Sequence, residues 1–545
     1  MVKENIRFVG NYQTCMDGWQ VTKESLAFDD ESIKSKLLAL DQPCYVAREG
    51  ERIGFSNEAS LATSVKSEVA STETLAWVPP LSMNQLGDPD FKKDHGTRYS
   101  YYAGSMANGI TSERMVIALG REGFLGSFGA AGLVPNHVKE AIVHIQQALP
   151  HGPYAFNLIH SPIEPALERE CVELYLAHGV RCVEASAYMD LTPYVVRYRV
   201  AGLGLNTKNQ IEIKNRVIAK VSRKEVAAKF MEPAPQRIIN QLLDQGLITE
   251  LQADLSQRVP MADDITAEAD SAGHTDNRPM FALLPSIISL RDEIQQKRCY
   301  EQAIRVGAGG GIGTPTAALA TFMMGASYVV TGSVNQSCVE AGASQHSKEL
   351  LVQADMADVI MAPAADMFEM GVKLQVLKRG TLFAMRAQKL YDLYMRYASI
   401  DEIPHDEREK LEKQIFRDSL ESVWQSTASY FSERDPSQIE RAANNPKRKM
   451  ALIFRSYLGL SSRWSVTGEP GREMDYQIWC GPSMGAFNAW VRNSYLEDAN
   501  NRKVADVAEN ILTGAAYSYR VQSLRIQGVF LPSTCCEYRP MPIVI

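Results

Sequence analysis

Glycine crowds one short stretch of this chain, Gly307-Ala-Gly-Gly-Gly-Ile-Gly313, with Thr314-Pro315 directly behind it. An apolar run, Ile304–Ala308, leads in, and Thr316-Ala-Ala-Leu-Ala-Thr-Phe-Met-Met324 leads out with helical character. Glycine lets bare backbone N–H groups gather round an anion, and proline suits the first turn of a helix. A helix N-terminus carries about half a positive charge, so the stretch is suited to phosphate. A plain turn needs one or two glycines. Four within residues 309–313 weaken regular structure by about 0.5–1 kcal/mol each relative to alanine. The dinucleotide spacing G-x-G-x-x-G fails, because Ile312 or Thr314 stands where the third glycine belongs. A looser G-x-x-x-G-x-G fits Gly307, Gly311 and Gly313. It lies past residue 300 and no Tyr-x-x-x-Lys follows it, which argues against a short-chain dehydrogenase.

A second constellation is Glu268-Ala-Asp-Ser-Ala-Gly-His274-Thr-Asp-Asn-Arg-Pro279. Histidine is the side chain best placed to give or take a proton near neutral pH, and Asp270 and Asp276 are the acids expected to orient His274. No ligand triad stands near it, and the other histidines are scattered, so no metal is expected. A third is Gly104-Ser-Met-Ala-Asn-Gly109, small residues that let a flat ring approach backbone, with the Asn108 amide able to read a ring edge. Asn157 and Lys220 are further polar residues within apolar runs.

The elements that must position these groups are legible as alternation. Strands are expected near Tyr101–Ala107, Gly123–Gly126, Tyr154–Ile159, Arg181–Ala185, Val217–Val221, Ile265–Ala269, Ile304–Ala308 and Tyr328–Thr331. Helices are expected over Thr111–Arg121, Asn136–Leu149, Pro165–His178, Pro193–Val200, Arg223–Met231, Pro285–Lys297 and Pro315–Met324. Eight strands with crossover helices predict an α/β fold, a (β/α)8 TIM barrel. Such barrels often bind phosphate after strands seven and eight. The glycine run follows the seventh expected strand, and Gly332-Ser333 follows the eighth. His274 follows the sixth, Asn157 lies on the third and Lys220 near the end of the fifth. Polar groups on several strand ends around one mouth are what a flavin mononucleotide (FMN) pocket needs.

Composition sets the bounds. The chain has 545 residues, 45% hydrophobic and 22% charged, as in a globular protein. A net charge of -7 argues against an autonomous nucleic-acid binder. The nine cysteines show no Cys-x-x-Cys pair, Met1-Val-Lys-Glu-Asn5 lacks an apolar signal core, and no stretch approaches a membrane span, so a cytoplasmic protein is expected. Residues 1–95 read as a small N-terminal unit with two strands around Glu49-Gly50, and Trp77-Val-Pro-Pro and Gly87-Asp-Pro-Asp as linkers. Residues 96–345 read as the barrel and 346–475 as a helical region covering the substrate. Residues 476–545 read as a C-terminal segment packed on the barrel. Long helices are expected over Thr381–Ala398, Asp406–Tyr430 and Ala505–Tyr517.

Ser271-Ala-Gly-His274, Gly310-Gly-Ile312 and Gly332-Ser333 together resemble the nitronate monooxygenase and FMN-dependent enoyl reductase superfamily. The usual Gly-Gly-His is Ala272-Gly273-His274 here. Three longer strings resemble the trans-acting PfaD-type enoyl reductases of polyunsaturated fatty acid and polyketide synthases. They are Val329-Val-Thr-Gly-Ser-Val-Asn-Gln-Ser-Cys-Val-Glu-Ala-Gly342, Phe454-Arg-Ser-Tyr-Leu-Gly-Leu-Ser-Ser-Arg-Trp464 and Asp475-Tyr-Gln-Ile-Trp-Cys-Gly-Pro-Ser-Met-Gly-Ala-Phe-Asn-Ala-Trp490. The resemblance implies FMN as cofactor, NADPH as reductant, and a trans-2-enoyl thioester on an acyl carrier protein as substrate. It implies that Gly309, Gly310, Gly311, Gly332 and Ser333 hold phosphate. Ser105, Met106, Ala107, Asn108, Asn157, Lys220, Ala272 and Gly273 would then lie along the cofactor, and His274 would be catalytic. Met361, Met367, Phe368, Met370 and Leu374 are expected either to line an acyl tunnel or to pack as helical core. Lys447–Lys449, Arg455 and Arg463 are the expected contact for an acidic carrier protein. A homodimer is the base-rate expectation. A nitronate oxidase with His274 as base, and a non-catalytic barrel within a synthase, stay open beside this reading.

Overall fold

The structure, a computed structural model, describes residues 6–8, 19–61, 72–160 and 165–542. Met1–Asn5, read above for its lack of a signal core, lies outside them. Eight parallel strands close into a barrel in sequence order. They are Tyr101–Ala103, Leu125–Phe128, Ala155–Ile159, Cys182–Ser186, Arg216–Val221, Asp264–Glu268, Arg305–Gly309 and Val329–Thr331. All eight expected strands form, because barrel strands are covered on both faces and read as short apolar runs. The second lies two residues later than expected, since Gly123 adopts φ +80° and belongs to the turn before it.

The lower barrel interior is filled by Tyr102, Leu125, Ala155, Cys182, Ile218, Tyr328 and Val330, with Phe91 entering from below. Gly87-Asp-Pro-Asp is therefore not a linker. Asp88 caps a short helix, Pro89–His95, that closes the bottom of the barrel. The Phe91 ring stacks on Tyr328 at 4.4 Å. His95 Nε2 meets Asp264 Oδ2 at 2.8 Å, and Arg305 spans Asp264 (2.6 Å) and Asp94 (2.7 Å). Arg216 reaches Asp94 at 3.0 Å, and Arg199 pairs with Asp263 at 2.6 Å.

After the eighth strand the chain leaves the barrel. A hairpin, Val359–Pro363 with Lys373–Leu377, is followed by helices Phe383–Arg396, Leu420–Arg434 and Pro446–Thr467, which share a separate apolar cluster around Phe368, Phe416, Phe454 and Tyr457. The single helix expected over Asp406–Tyr430 is broken. Arg417 takes φ +59°, and the Ser419 hydroxyl accepts from Ser422 N–H to start a new helix. The chain then returns, and Val504–Ile526 packs against Pro315–Met323 and Glu113–Arg121, the place of an eighth barrel helix. A Cβ at Gly514 would lie 2.5 Å from Pro315 Cγ, so glycine permits that close approach. The N-terminal sheet Cys44–Glu49, Arg52–Ser56 and Glu73–Val78 lies against the same returning helix, where Arg520 donates to the carbonyls of Leu37, Ala39 and Gln42. Among the described residues no helix is long and apolar enough to cross a membrane.

Burial alone would raise the Asp264 carboxyl, but Arg305 and His95 more than cancel this and hold it below the usual range. Arg305→Met is expected to lower the unfolding free energy by about 3–5 kcal/mol, because it leaves a buried charge uncompensated. Adding Asp264→Asn should recover part of that loss in urea denaturation. In the unmodified protein the contribution is present above the ordinary carboxyl pKa of about 3.9 and lost as pH falls below it.

Candidate active site

The seventh and eighth strands run side by side, with Gly309 opposite Val330, so their C-terminal loops are neighbours at the mouth. The glycines between 307 and 313 answer to different neighbours. A Cβ on Gly307 would strike the Tyr328 ring at 2.4 Å, and one on Gly309 would crowd Val330 at 3.2 Å; these two serve barrel packing. Gly313 admits the backbone of Ser483, whose carbonyl oxygen would lie 2.4 Å from a Cβ there. Gly310, at φ +95°, passes beneath the Ala269 and Asp270 carbonyls, at 2.8 Å from a Cβ. A Cβ on Gly311 or Gly332 would meet nothing within 4 Å. These two open a backbone cradle between the strand ends. Ser333 borders it, its Oγ accepting from Gly481 N–H at 3.0 Å, so its hydroxyl proton can be donated elsewhere.

Across the mouth, Lys220 Nζ lies 3.2 Å from Glu184 Oε1 and 3.4 Å from Glu268 Oε1. Desolvation opposes the ammonium, but the two carboxylates hold its pKa well above the ordinary lysine value. Glu184 is fully buried. Its desolvation is outweighed by Lys220 and the Ser105 N–H, which lie on it and hold the carboxyl low. Ser105 N donates to Glu184 Oε2 at 2.8 Å, fixing the loop after the first strand. In that loop Met106 N donates to Thr111 Oγ1, and Ala107 O accepts from Ile110 N. Asn157 Nδ2 donates to Ser186 Oγ at 3.1 Å and Glu184 O at 3.2 Å. Asn108, at φ +57°, donates one of its two amide N–H bonds to Ser462 Oγ at 2.8 Å, on the Pro446–Thr467 helix.

His274 forms a two-residue strand with Gly273, paired antiparallel to the hairpin: His274 opposite Leu374, Gly273 opposite Gln375. Gly273 takes φ +75° and Ala272 is not at positive φ, so alanine in place of the usual glycine there brings no strain. The orienting acid is not one of those expected. Asp276 is bound by Arg223 (2.7 Å) and Ser222 (2.8 Å), and Asp270 accepts from Asn277 (3.0 Å) and Gln375 (3.1 Å). His274 Nε2 instead meets Asp366 Oδ1 at 3.0 Å. Burial works against the imidazolium, but the Asp366 hydrogen bond and charge override it, and the pKa lies above the ordinary 6.5. Among the described residues no cluster of His, Cys, Asp or Glu is arranged as a metal site.

Trp479 extends this wall. Its backbone bridges to Val376 and its ring edge lies 3.9 Å from a Cβ placed on Gly273. Sequence reading missed Asp366, Glu184, Glu268 and Gly481 as partners of the site. Of these, only Glu268 and Gly481 fall inside strings singled out for their pattern.

The proposed tunnel residues separate. Phe368 and Leu374 are buried in the insertion core, whereas Met370 is 63% exposed. The proposed carrier contact is largely committed within the chain. Lys447 donates to the Tyr394 and Tyr397 carbonyls, and Lys449 lies over the Trp424 ring. Arg448 donates to Gln438, and Arg455 to Ala365 O and Glu369.

Residues 91–391 match the family model for nitronate monooxygenase. The chain belongs to the nitronate monooxygenase family. Within that family it is of the PfaD type: residues 19–80 match the N-terminal domain of the fatty acid synthase subunit PfaD. Residues 397–476 match the inserted helical domain of [acyl-carrier-protein] S-malonyltransferase. The chain is 47% identical over 502 residues to a polyunsaturated fatty acid synthase subunit of a Thraustochytrium species, covering 91% of this chain and 33% of that one. It is 44% identical over 454 residues to the polyketide biosynthesis protein PksE of Bacillus subtilis, covering 83% and 58% respectively. It thus spans a third of the first relative and somewhat over half of the second. Among solved structures, the enoyl reductase domain of MlnA from the macrolactin biosynthesis cluster of Bacillus amyloliquefaciens superposes with a TM-score of 0.77. The two are 39% identical, over 81% of this chain and 99% of that one.

Lys220→Met leaves two carboxylates facing each other and is expected to cost about 3 kcal/mol in denaturant unfolding. Adding Glu268→Gln, which keeps the shape and removes one charge, should return a measurable part of it.

Proposed function

We propose that this protein is an FMN-dependent enoyl reductase. It would act in trans on trans-2-enoyl thioesters carried by acyl carrier protein domains of a polyunsaturated fatty acid or polyketide synthase. The observation that carries this reading is a shared rim. The open backbone cradle at Gly311 and Gly332 lies after strands seven and eight, and His274 lies after strand six of the same barrel. The synthase components and the enoyl reductase domain among the relatives support the substrate class, and the match of the insertion to a carrier-protein transferase domain supports the partner.

The residues present fit FMN. Its phosphate needs backbone N–H groups without side chains in the way and a hydroxyl donor, which Gly310, Gly311, Gly332 and Ser333 offer. Asn157, Lys220, the Ser105–Ala107 loop and Ala272-Gly273 would border the ring. When bound, FMN supplies the hydride for the substrate β-carbon, with NADPH as its reductant. The chain's own part is the other half of the reaction. Enoyl reduction leaves negative charge on the thioester oxygen and requires a proton at the α-carbon. His274, with its pKa raised by Asp366, is the group for that proton. The insertion above the mouth would keep water from the carbanion. Cytoplasmic location and a homodimer complete the proposal.

Anaerobic spectra of the purified protein before and after NADPH test the cofactor. NADPH consumption with a carrier-bound enoyl thioester, set against oxygen uptake with a nitronate, tests the reaction; oxygen uptake alone would favour a nitronate oxidase. His274→Ala is expected to lower enoyl reduction by about 10²–10⁴-fold with FMN still bound. A Cβ on Gly332 would meet no protein atom within 4 Å. Gly332→Ala should therefore enter the cradle without displacing a neighbour and weaken FMN binding, read by flavin fluorescence quenching. Unchanged affinity in that variant would remove the cradle from the site.

A further inference from the structure

Asp366 lies 92 residues beyond His274 and outside the barrel. It stands in the loop joining Val359–Pro363 to Lys373–Leu377, and the second of these strands is the one that pairs with Gly273–His274. The histidine backbone and its carboxylate partner therefore ride on one three-stranded sheet, built across the boundary between barrel and insertion. The loop is fixed from several sides. Ala364 N–H donates to Val372 O at 2.9 Å, and Phe368 is fully buried. Arg455, from the Pro446–Thr467 helix, donates to Ala365 O at 2.8 Å and to Glu369 Oε1 at 3.2 Å, bracketing Asp366 on both sides in sequence. Gln375, opposite Gly273 in the sheet, donates to Asp270 Oδ1 at 3.1 Å and holds the other end of the histidine loop.

We propose that Asp366 is the positioning residue of His274, held in place by Arg455, so that the insertion supplies part of the proton-delivering apparatus as well as covering the mouth. The proposal rests on the reading of His274 as the acid. With one ring nitrogen occupied by Asp366, the other is left for the substrate. In the transfer the imidazolium N–H bond breaks and a C–H bond forms at the α-carbon, whose enolate electron pair is consumed. Neutral His274 remains hydrogen-bonded to an ionised Asp366 and recovers its proton from solvent.

The charged groups facing His274 come from four elements. Asp366 belongs to the insertion hairpin, Glu268 to the sixth strand, Lys220 to the fifth strand, and Arg455 stands behind Asp366. Glu268 favours the imidazolium and Lys220 opposes it, so removing Asp366 leaves two contributions of opposite sign.

The test is a titration of isotope-labelled histidine by NMR, with the His274 signal assigned by its loss in His274→Asn. In Asp366→Asn the His274 pKa is expected to fall by about one unit or more, with partial return in Asp366→Glu. Arg455→Met should lower it by less, because loosening the Asp366 loop is opposed by the loss of a neighbouring positive charge. In steady-state enoyl reduction, activity that depends on the imidazolium is lost as pH rises through its pKa. The alkaline limb should therefore move to lower pH in Asp366→Asn, with kcat falling about tenfold and KM little changed. An unmoved His274 titration in a folded Asp366→Asn protein would overturn the proposal. A shifted titration with an unmoved pH–rate profile would leave Asp366 as the holder of His274 and count against His274 as the acid.

Discussion

Lys220 between Glu184 and Glu268 is the contact on which the barrel mouth depends. Strands four, five and six each place one charged side chain at the C-terminal end of the barrel, and a single ammonium joins them. The same carboxylates reach outward. Glu184 accepts the Ser105 N–H from the loop after strand one, and Glu268 accepts the Ser271 hydroxyl from the histidine loop at 3.3 Å. Lys220 thereby fixes loops that carry most of the candidate ring contacts. Two acids with one base leave the upper barrel with an excess of negative charge. Burial and the nearby Glu184 push the Glu268 carboxyl upward, against the pull of Lys220, which makes it the softest protonation site of the three. The apolar layer around Phe91 and Tyr328 lies below, so a polar mouth stands on a packed floor.

The glycine run shows how one stretch of backbone can answer to several constraints. Gly307 makes room for the Tyr328 ring, Gly310 for the histidine loop and Gly313 for the returning chain at Ser483. Only Gly311, with Gly332 from the next strand, faces open space. The returning chain reaches this place for a topological reason. The eighth strand ends at the mouth, and the helix that completes the barrel wall is Val504–Ile526. Whatever is inserted between them must begin at the mouth, and the hairpin, the Ser462 contact with Asn108 and the Gly481 contact with Ser333 all lie over it.

Much of this was legible in the sequence, and the remainder has a common cause. Every barrel strand could be read because a doubly covered strand is a compact apolar run. The loops after strands six, seven and eight could be placed at one mouth because each follows directly on a legible strand. Asp366 could not, since it reaches His274 only after a hairpin has paired with the two-residue strand that carries it. Proximity in sequence favoured Asp270 and Asp276, but Arg223, Ser222, Asn277 and Gln375 occupy them. Gly87-Asp-Pro-Asp looked like a linker because a capped seven-residue helix is too short to show periodicity. The break at Arg417 was legible in principle, since Ser419 before Leu420-Glu421 is an N-cap signal inside an otherwise continuous helical pattern.

The protonation of His274 is then a property of the whole assembly. A histidine proposed to protonate a carbanion has to carry its proton before the substrate arrives, and burial works against that. Lys220 opposes it further. The compensating charge comes from Glu268 on the barrel and, more strongly, from Asp366 on the insertion. The stronger of these is also the one whose position depends on packing outside the barrel, through Arg455 and the buried Phe368. Without the Asp366 hydrogen bond and charge, burial and Lys220 would act on this imidazolium against Glu268 alone. The charge balance at this imidazole is thus set in part by an element that a reading of the barrel alone would leave out.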